Sequence, residues 1–141
     1  MALNLNAVDA AIFGLLNGHP ALAALGVTGV FRDEAPKAQA FPYVRFARTT
    51  DGTIRRRFQG AARLVQVVYT VAAIDLGFNG DRAEEIDAAI DAILDDAALA
   101  PAGFTAAACL REAGIRFDEA AGEQTVYTDG GTYRIWLEEA A

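Results

Sequence analysis

Few residues in this chain are of the kinds that carry out chemistry. It has one cysteine, Cys109, and one histidine, His19. A zinc site of the usual Cys and His kind needs more such ligands than the chain holds, and a disulfide within one chain is excluded. His19 sits in a Gly18-His19-Pro20 turn, where a lone imidazole serves as a surface or capping group. Cys109 lies among Ala106, Ala107, Ala108 and Leu110, the setting of a buried and inert thiol. The carboxylates Asp87, Asp91, Asp95 and Asp96 recur along one segment, but cation loops present oxygens from turn positions, and a helical row of carboxylates reads as a solvated face. Gly26 with Gly29, and Gly130 with Gly131, lack the spacing and the strand-to-helix context of a dinucleotide or phosphate loop. The expectation is a chain without catalytic residues, metal or cofactor.

The most distinctive polar run is Arg55-Arg56-Arg57, with Arg63 following. Guanidinium groups there could contact DNA phosphates, line a lumen, pair with acidic groups of a neighbouring copy, or simply be solvated. The formal net charge of -7 argues against general affinity for nucleic acid. The sign is unevenly spread: residues 32 to 63 hold eight basic against three acidic groups, and everything from Leu64 onward holds four against fifteen. Such polarity suits head-to-tail contact between copies, or contact with a charged partner.

The elements that must position these groups fit one domain, residues 1–141, large enough to fold without metal or disulfide staples. No apolar run approaches the ~20 residues of a membrane helix, and the start lacks a basic signal segment, so a soluble protein made in the cytoplasm is expected. Leu5, Val8, Ile12, Leu15 and Leu16 give residues 5 to 17 the stripe of an amphipathic helix, capped by Asn4 or Asn6. A further short turn follows at 21 to 25. Strands are expected at 27 to 32 and 43 to 49, then an arm or loop at 53 to 60, then the Val-rich strand at 62 to 74.

In that strand Val65, Val67, Tyr69 and Val71 share one face. The other, with Leu64, Gln66, Val68, Thr70 and Ile74, is unusually apolar, and a helix is expected to cover it in preference to another subunit. Asp81 to Glu84 forms a capping-box pattern opening a helix to about Asp96, with Ala83, Ile86, Ile90, Ile93 and Leu94 inward and Glu84, Asp87, Asp91 and Asp95 outward. Two long strands, 104 to 119 and 123 to 139, close the chain, with a bulge or bend at Asp129-Gly130-Gly131. The fold class is α+β: an antiparallel β-sheet of about five strands with two main helices packed on one face.

The order of elements and several stretches resemble the tail-completion, or tail terminator, family of long-tailed bacteriophages, prophages and gene transfer agents. The stretches are His19-Pro20-Ala21-Leu22, Gly29-Val30-Phe31 leading through Ala35-Pro36 into Phe41-Pro42-Tyr43-Val44, the strand Leu64 to Val71, the acidic helix with Leu99 after it, and Tyr133-Arg134-Ile135-Trp136-Leu137. The resemblance implies a structural virion protein at the head-tail junction, with no active site. It implies a ring of typically six copies that stops growth of the tail tube protein and joins the tail to the head-tail connector or neck protein, leaving a central passage for DNA. Arg55, Arg56, Arg57 and Arg63 are the candidates for the lumen or the subunit interface. A related neck or head-completion subunit and a small ligand-binding α+β domain are the alternatives.

Overall fold

A computed structural model describes residues 4–49, 53–56 and 63–139. Among the described residues three helices and six strands follow one another: α1 (Asn6–Leu16), α2 (Pro20–Ala24), β1 (Val30–Arg32), β2 (Tyr43–Arg48), β3 (Thr53–Arg56), β4 (Arg63–Gly77), α3 (Asp81–Leu94), β5 (Phe104–Ala121) and β6 (Gln124–Glu139). The strands form one sheet in the order β1-β2-β4-β6-β5, curled into a half-barrel. β4 is its spine. On one edge it pairs with β2 through residues 69–74 and with β3 through residues 63–66, and on the other with β6 along its length from Leu64.

The mixed α+β class and the largely antiparallel pairing agree with the sequence. One pair departs from it: β1 runs parallel to β2, with Val30 opposite Val44 and Arg32 opposite Phe46. The ten residues between them carry the chain back across, which a tight hairpin could not do. β1 is also shorter than expected, because residues 27–29 stay outside the strand. The segment read as an arm or loop starts instead as β3, with Thr53 opposite Gln66 and Arg56 opposite Arg63. Residues 50–52 and 57–62 lie outside the described residues.

The helix stripes pack as their spacing dictates. Leu5, Val8, Ile12 and Leu16 of α1, and Ala83, Ile86, Ile90 and Leu94 of α3, are buried with Val65, Val67, Tyr69 and Val71 of β4 and with Tyr133, Ile135 and Leu137 of β6. Helix starts are set by polar neighbours. The Asn4 side chain accepts from the Asn6 N–H, and His19 Nδ1 accepts from the Ala21 N–H at 3.2 Å, the capping role expected of that imidazole. The expected capping box at Asp81 to Glu84 does not form. Gly80 is the N-cap, and Asn79 Oδ1 accepts from the Asp81 N–H at 3.1 Å, so the acceptor lies two residues upstream of the predicted one.

The expected bulge at Asp129-Gly130-Gly131 is also displaced. β6 is regularly paired there, and the two register shifts fall in β5, at Ala107 and Glu112. Each extra residue exchanges the faces of the residues after it. Cys109 and Arg111, then Gly114 and Arg116 therefore share the face of Ile135, Tyr133, Gly131 and Asp129 opposite them. Gly130 and Gly131 serve close approach instead. A Cβ on Gly130 would lie 2.6 Å from Ala72 Cα, and one on Gly131 would lie 2.8 Å from Arg111 Cζ.

Candidate interaction surface

Buried charges tie the helices to the sheet. Asp9 of α1 is 3% exposed and accepts from the Tyr69 hydroxyl, from Arg32 Nη1 at 3.1 Å and, across an ion pair of 3.3 Å, faces Arg48 Nε. Burial and the bond to Asp9 push the Tyr69 hydroxyl pKa far above its ordinary value, so it remains a donor. Arg82 of α3 binds Asp75 of β4 through both carboxylate oxygens, at 3.0 and 2.9 Å. Arg111 binds Asp87 in the same two-pronged way and also donates to the Gly130 carbonyl at 3.0 Å. Asp87 was expected on the solvated side of its helix; it is 8% exposed because Arg111 reaches it from β5.

These carboxylates are matched by cations and donors, which suits a rigid framework. Among the described residues no group of three or more His, Cys, Asp and Glu is placed to hold a metal ion. Cys109 is buried, and burial with the neighbouring Asp95 charge pushes its thiol up to about 12. Asp129 is held above the usual carboxylate range by burial and by the Asp87 charge.

The second face of the sheet is different. Residues opposite one another across antiparallel strands share a face. Leu64 and Val68 of β4 therefore lie with Trp136 and Arg134 of β6 and with Ala108 and Leu110 of β5, and Phe117 follows further along β5. Leu64, Leu110, Phe117 and Trp136 are 37%, 45%, 52% and 39% exposed. The helix expected to cover this face does not: the buried stripes of α1 and α3 share the core with the opposite set of strand residues. One ion pair crosses the apolar surface. Arg134 donates to both oxygens of Glu112, the bulge residue, with Nη2 to Oε2 at 3.0 Å.

The arginine run is divided. Arg55 and Arg56 stand in β3 opposite Leu64 and Arg63, at the end of β4 that carries the open apolar face, while Arg57 lies outside the described residues. A groove of about 330 Å³ opens beside the β1 edge, lined by Ala10, Phe13, Val30, Arg32 and Phe46 among others. No described helix is long and apolar enough to cross a membrane. Sequence reasoning passed over Asp9, although an acid within an otherwise apolar stripe was the available signal. Arg111 offered no comparable signal, because its partner lies 24 positions away.

The framework matches buried Asp9, Asp75 and Asp87 with arginines and leaves an apolar sheet face open. The family of tail completion protein gp17 matches residues 10–136, and the chain belongs to that family, a virion component of phage tails. The fold is shared with a chain in the virion of a native gene transfer agent particle, at TM-score 0.73 and 18% identity, covering 94% of this chain and 96% of that one. A second solved structure matches at TM-score 0.57 and 19% identity, covering 95% of this chain and 96% of the other. No curated protein sequence matches it.

Proposed function

We propose that the chain is a tail terminator: identical copies, six in the expected ring, associate through unlike surfaces, cap the tail tube and join it to the head-tail connector. The observation that carries this reading is the open sheet face. Four large apolar side chains exposed together on one face cost solvation in an isolated chain and mark a surface meant to be covered. Membership of the tail completion family supplies the setting. Heterologous contact that closes on itself gives a ring, and a ring leaves a passage.

The role is structural, with no turnover. Arg55, Arg56, Arg57 and Arg63 are assigned to the lumen or the subunit contact, where positive charge would meet DNA phosphates in transit or the acidic remainder of a neighbouring copy. The direct test is native mass spectrometry with light scattering, on the chain alone and with tube protein. Species at a fixed multiple of 14.9 kDa, or occupancy of tube ends, are expected. A chain that stays monomeric and ignores tube ends overturns the proposal.

A further inference from the structure

We infer that the outer side of α1 in one copy covers the open sheet face of the next, so that each copy supplies the helix layer its neighbour lacks. The inference rests on the ring reading and specifies its contact.

α1 is apolar on two sides. Its inner stripe lies in the core, while Asn6, Ala10, Phe13 and Gly14, with Asn17 just beyond, recur at three-and-four spacing on the outside, where all are exposed. Phe13 keeps 41% of its surface in water. Asp9, buried and paired with arginines, is the one Asp, Glu, Lys or Arg among residues 4–31. A surface helix ordinarily turns charge outward, and one that is apolar all round is built to be covered. Gly14 is a second sign. Among the described residues nothing lies within 4 Å of where its Cβ would stand, so no neighbour in the chain requires a glycine there, although glycine weakens a helix interior. Ala10 and Phe13 also wall the groove beside β1, which gives the outer side of the helix a recess.

Helix and sheet face match in placement, size and polarity. They lie on opposite sides of the sheet, and α1 packs toward the β1 edge while the open patch spans β4, β6 and β5. Each copy therefore holds one surface of each kind, which head-to-tail copies need if a closed ring is to leave none over. α1 has 11 residues and spans about 16 Å. From Trp136 to Thr128, the residue opposite Phe117, the face runs about 26 Å. The patch is hydrocarbon around the Arg134–Glu112 pair, and α1 brings hydrocarbon with Asn6 and Asn17 at its two ends, amides that both donate and accept. α3 is a poor match. Asp81, Glu84 and Glu85 are exposed on its outer side, and laying carboxylates on Leu110 and Trp136 would strip them of water.

Photo-cross-linking tests the contact. With p-benzoylphenylalanine in place of Phe13, irradiation of the assembled protein should give intermolecular adducts whose peptides, read by mass spectrometry, fall in residues 64–68, 108–117 or 132–137. As a second arm, Gly14→Gln should raise the melting temperature of the unassembled chain by about 3 °C, because glutamine favours the helix. The same variant should raise the concentration at half-assembly at least about tenfold, a change that a purely intramolecular role for Gly14 would not produce. Glu85→Gln, on the outer side of α3, should leave that concentration within about twofold. Adducts from position 13 to α1 of another copy would reveal a symmetric contact, and adducts to tube protein alone would assign the helix to a different partner; either overturns the inference. Assembly with no adduct in the open face, or a Gly14→Gln chain that assembles as the native one does, overturns it too and leaves the ring itself standing. A native chain that never assembles, alone or on tube ends, defeats the ring reading and this contact with it.

Discussion

Arg111 of β5 grips Asp87 of α3 through two bonds of 2.9 Å each, Nη1 to Oδ1 and Nη2 to Oδ2, while the same Nη1 donates to the Tyr133 hydroxyl at 3.1 Å. One guanidinium thus binds a helix, an edge strand and its neighbour. The Asp87 bond, chief among the causes, raises the Arg111 pKa further, so the cation persists throughout the accessible range. Asp87→Ala leaves that cation with the Tyr133 hydroxyl, the Gly130 carbonyl and the Asp91 carboxylate at 3.9 Å. Because Arg111 keeps 22% of its side chain exposed, the loss should be about 2 kcal/mol, below the range for a fully buried pair. Urea unfolding of Asp87→Ala and Asp87→Asn gives the value, with the amide variant retaining part of the bonding.

Gly130 should tolerate no side chain. A methyl group there meets the Val71 carbonyl oxygen and the Ala72 Cα, both backbone atoms of the spine strand, so relief requires parting β4 from β6. Gly130→Ala should cost roughly 3 kcal/mol or more, whereas Gly114→Ala, whose nearest contact is 3.6 Å from Arg111 Nη2, should stay within ~0.5 kcal/mol. Equal midpoints for the two variants in denaturant would contradict this account of the close approach.

Asp129 makes stability depend on pH in the unusual direction for a carboxyl group. Burial, then the Asp87 charge, hold its native pKa above the unfolded value. Between those two values the native state binds more protons, so this group's contribution is full at acid pH and falls as pH rises through the interval. Asp129→Asn removes the decline. Its melting temperature should exceed that of the native chain at pH 7, with the gap narrowing toward pH 4, near the unfolded carboxyl range of about 3.9. A gap that widens on acidification would reverse the assignment.

Trp136 is the chain's one tryptophan and stands on the open face, 39% exposed. Covering that face should shift its emission to shorter wavelength and shield it from iodide. The shift should follow assembly in concentration, and Trp136→Ser should weaken assembly at least tenfold while changing stability by less than about 1 kcal/mol. An emission maximum that ignores assembly would remove this face from the interface.

Periodic residues were the legible ones. The α1 and α3 stripes and the alternation from Val65 to Val71 led directly to the core, because burial selects side chains at the period of the backbone. β5 resisted for the opposite reason: bulges at Ala107 and Glu112 change the phase twice, so Cys109 and Gly114 share a face that no single alternation predicts. Helix coverage of the second sheet face was expected from the commoner arrangement, and the exposure of Leu110 and Trp136 reverses it. Asp9 and Tyr69 are 60 positions apart, a separation across which local pattern carries no information. After the turn signal Asp51-Gly52 the segment Thr53 to Gly60 is too long for a tight hairpin and so reads as an arm or loop, yet pairing to β4 organises Arg55 and Arg56 as strand residues.

The Arg134–Glu112 pair gives the open face a password. Bare hydrocarbon would welcome any greasy visitor, from a detergent micelle to a misfolded chain. A salt bridge planted amid Leu110, Val68 and Trp136 must keep company with polar groups or water, so a newcomer lacking them forfeits its solvation. A surface with matching polarity at that one spot keeps that solvation, so the pair disfavours promiscuous clumping.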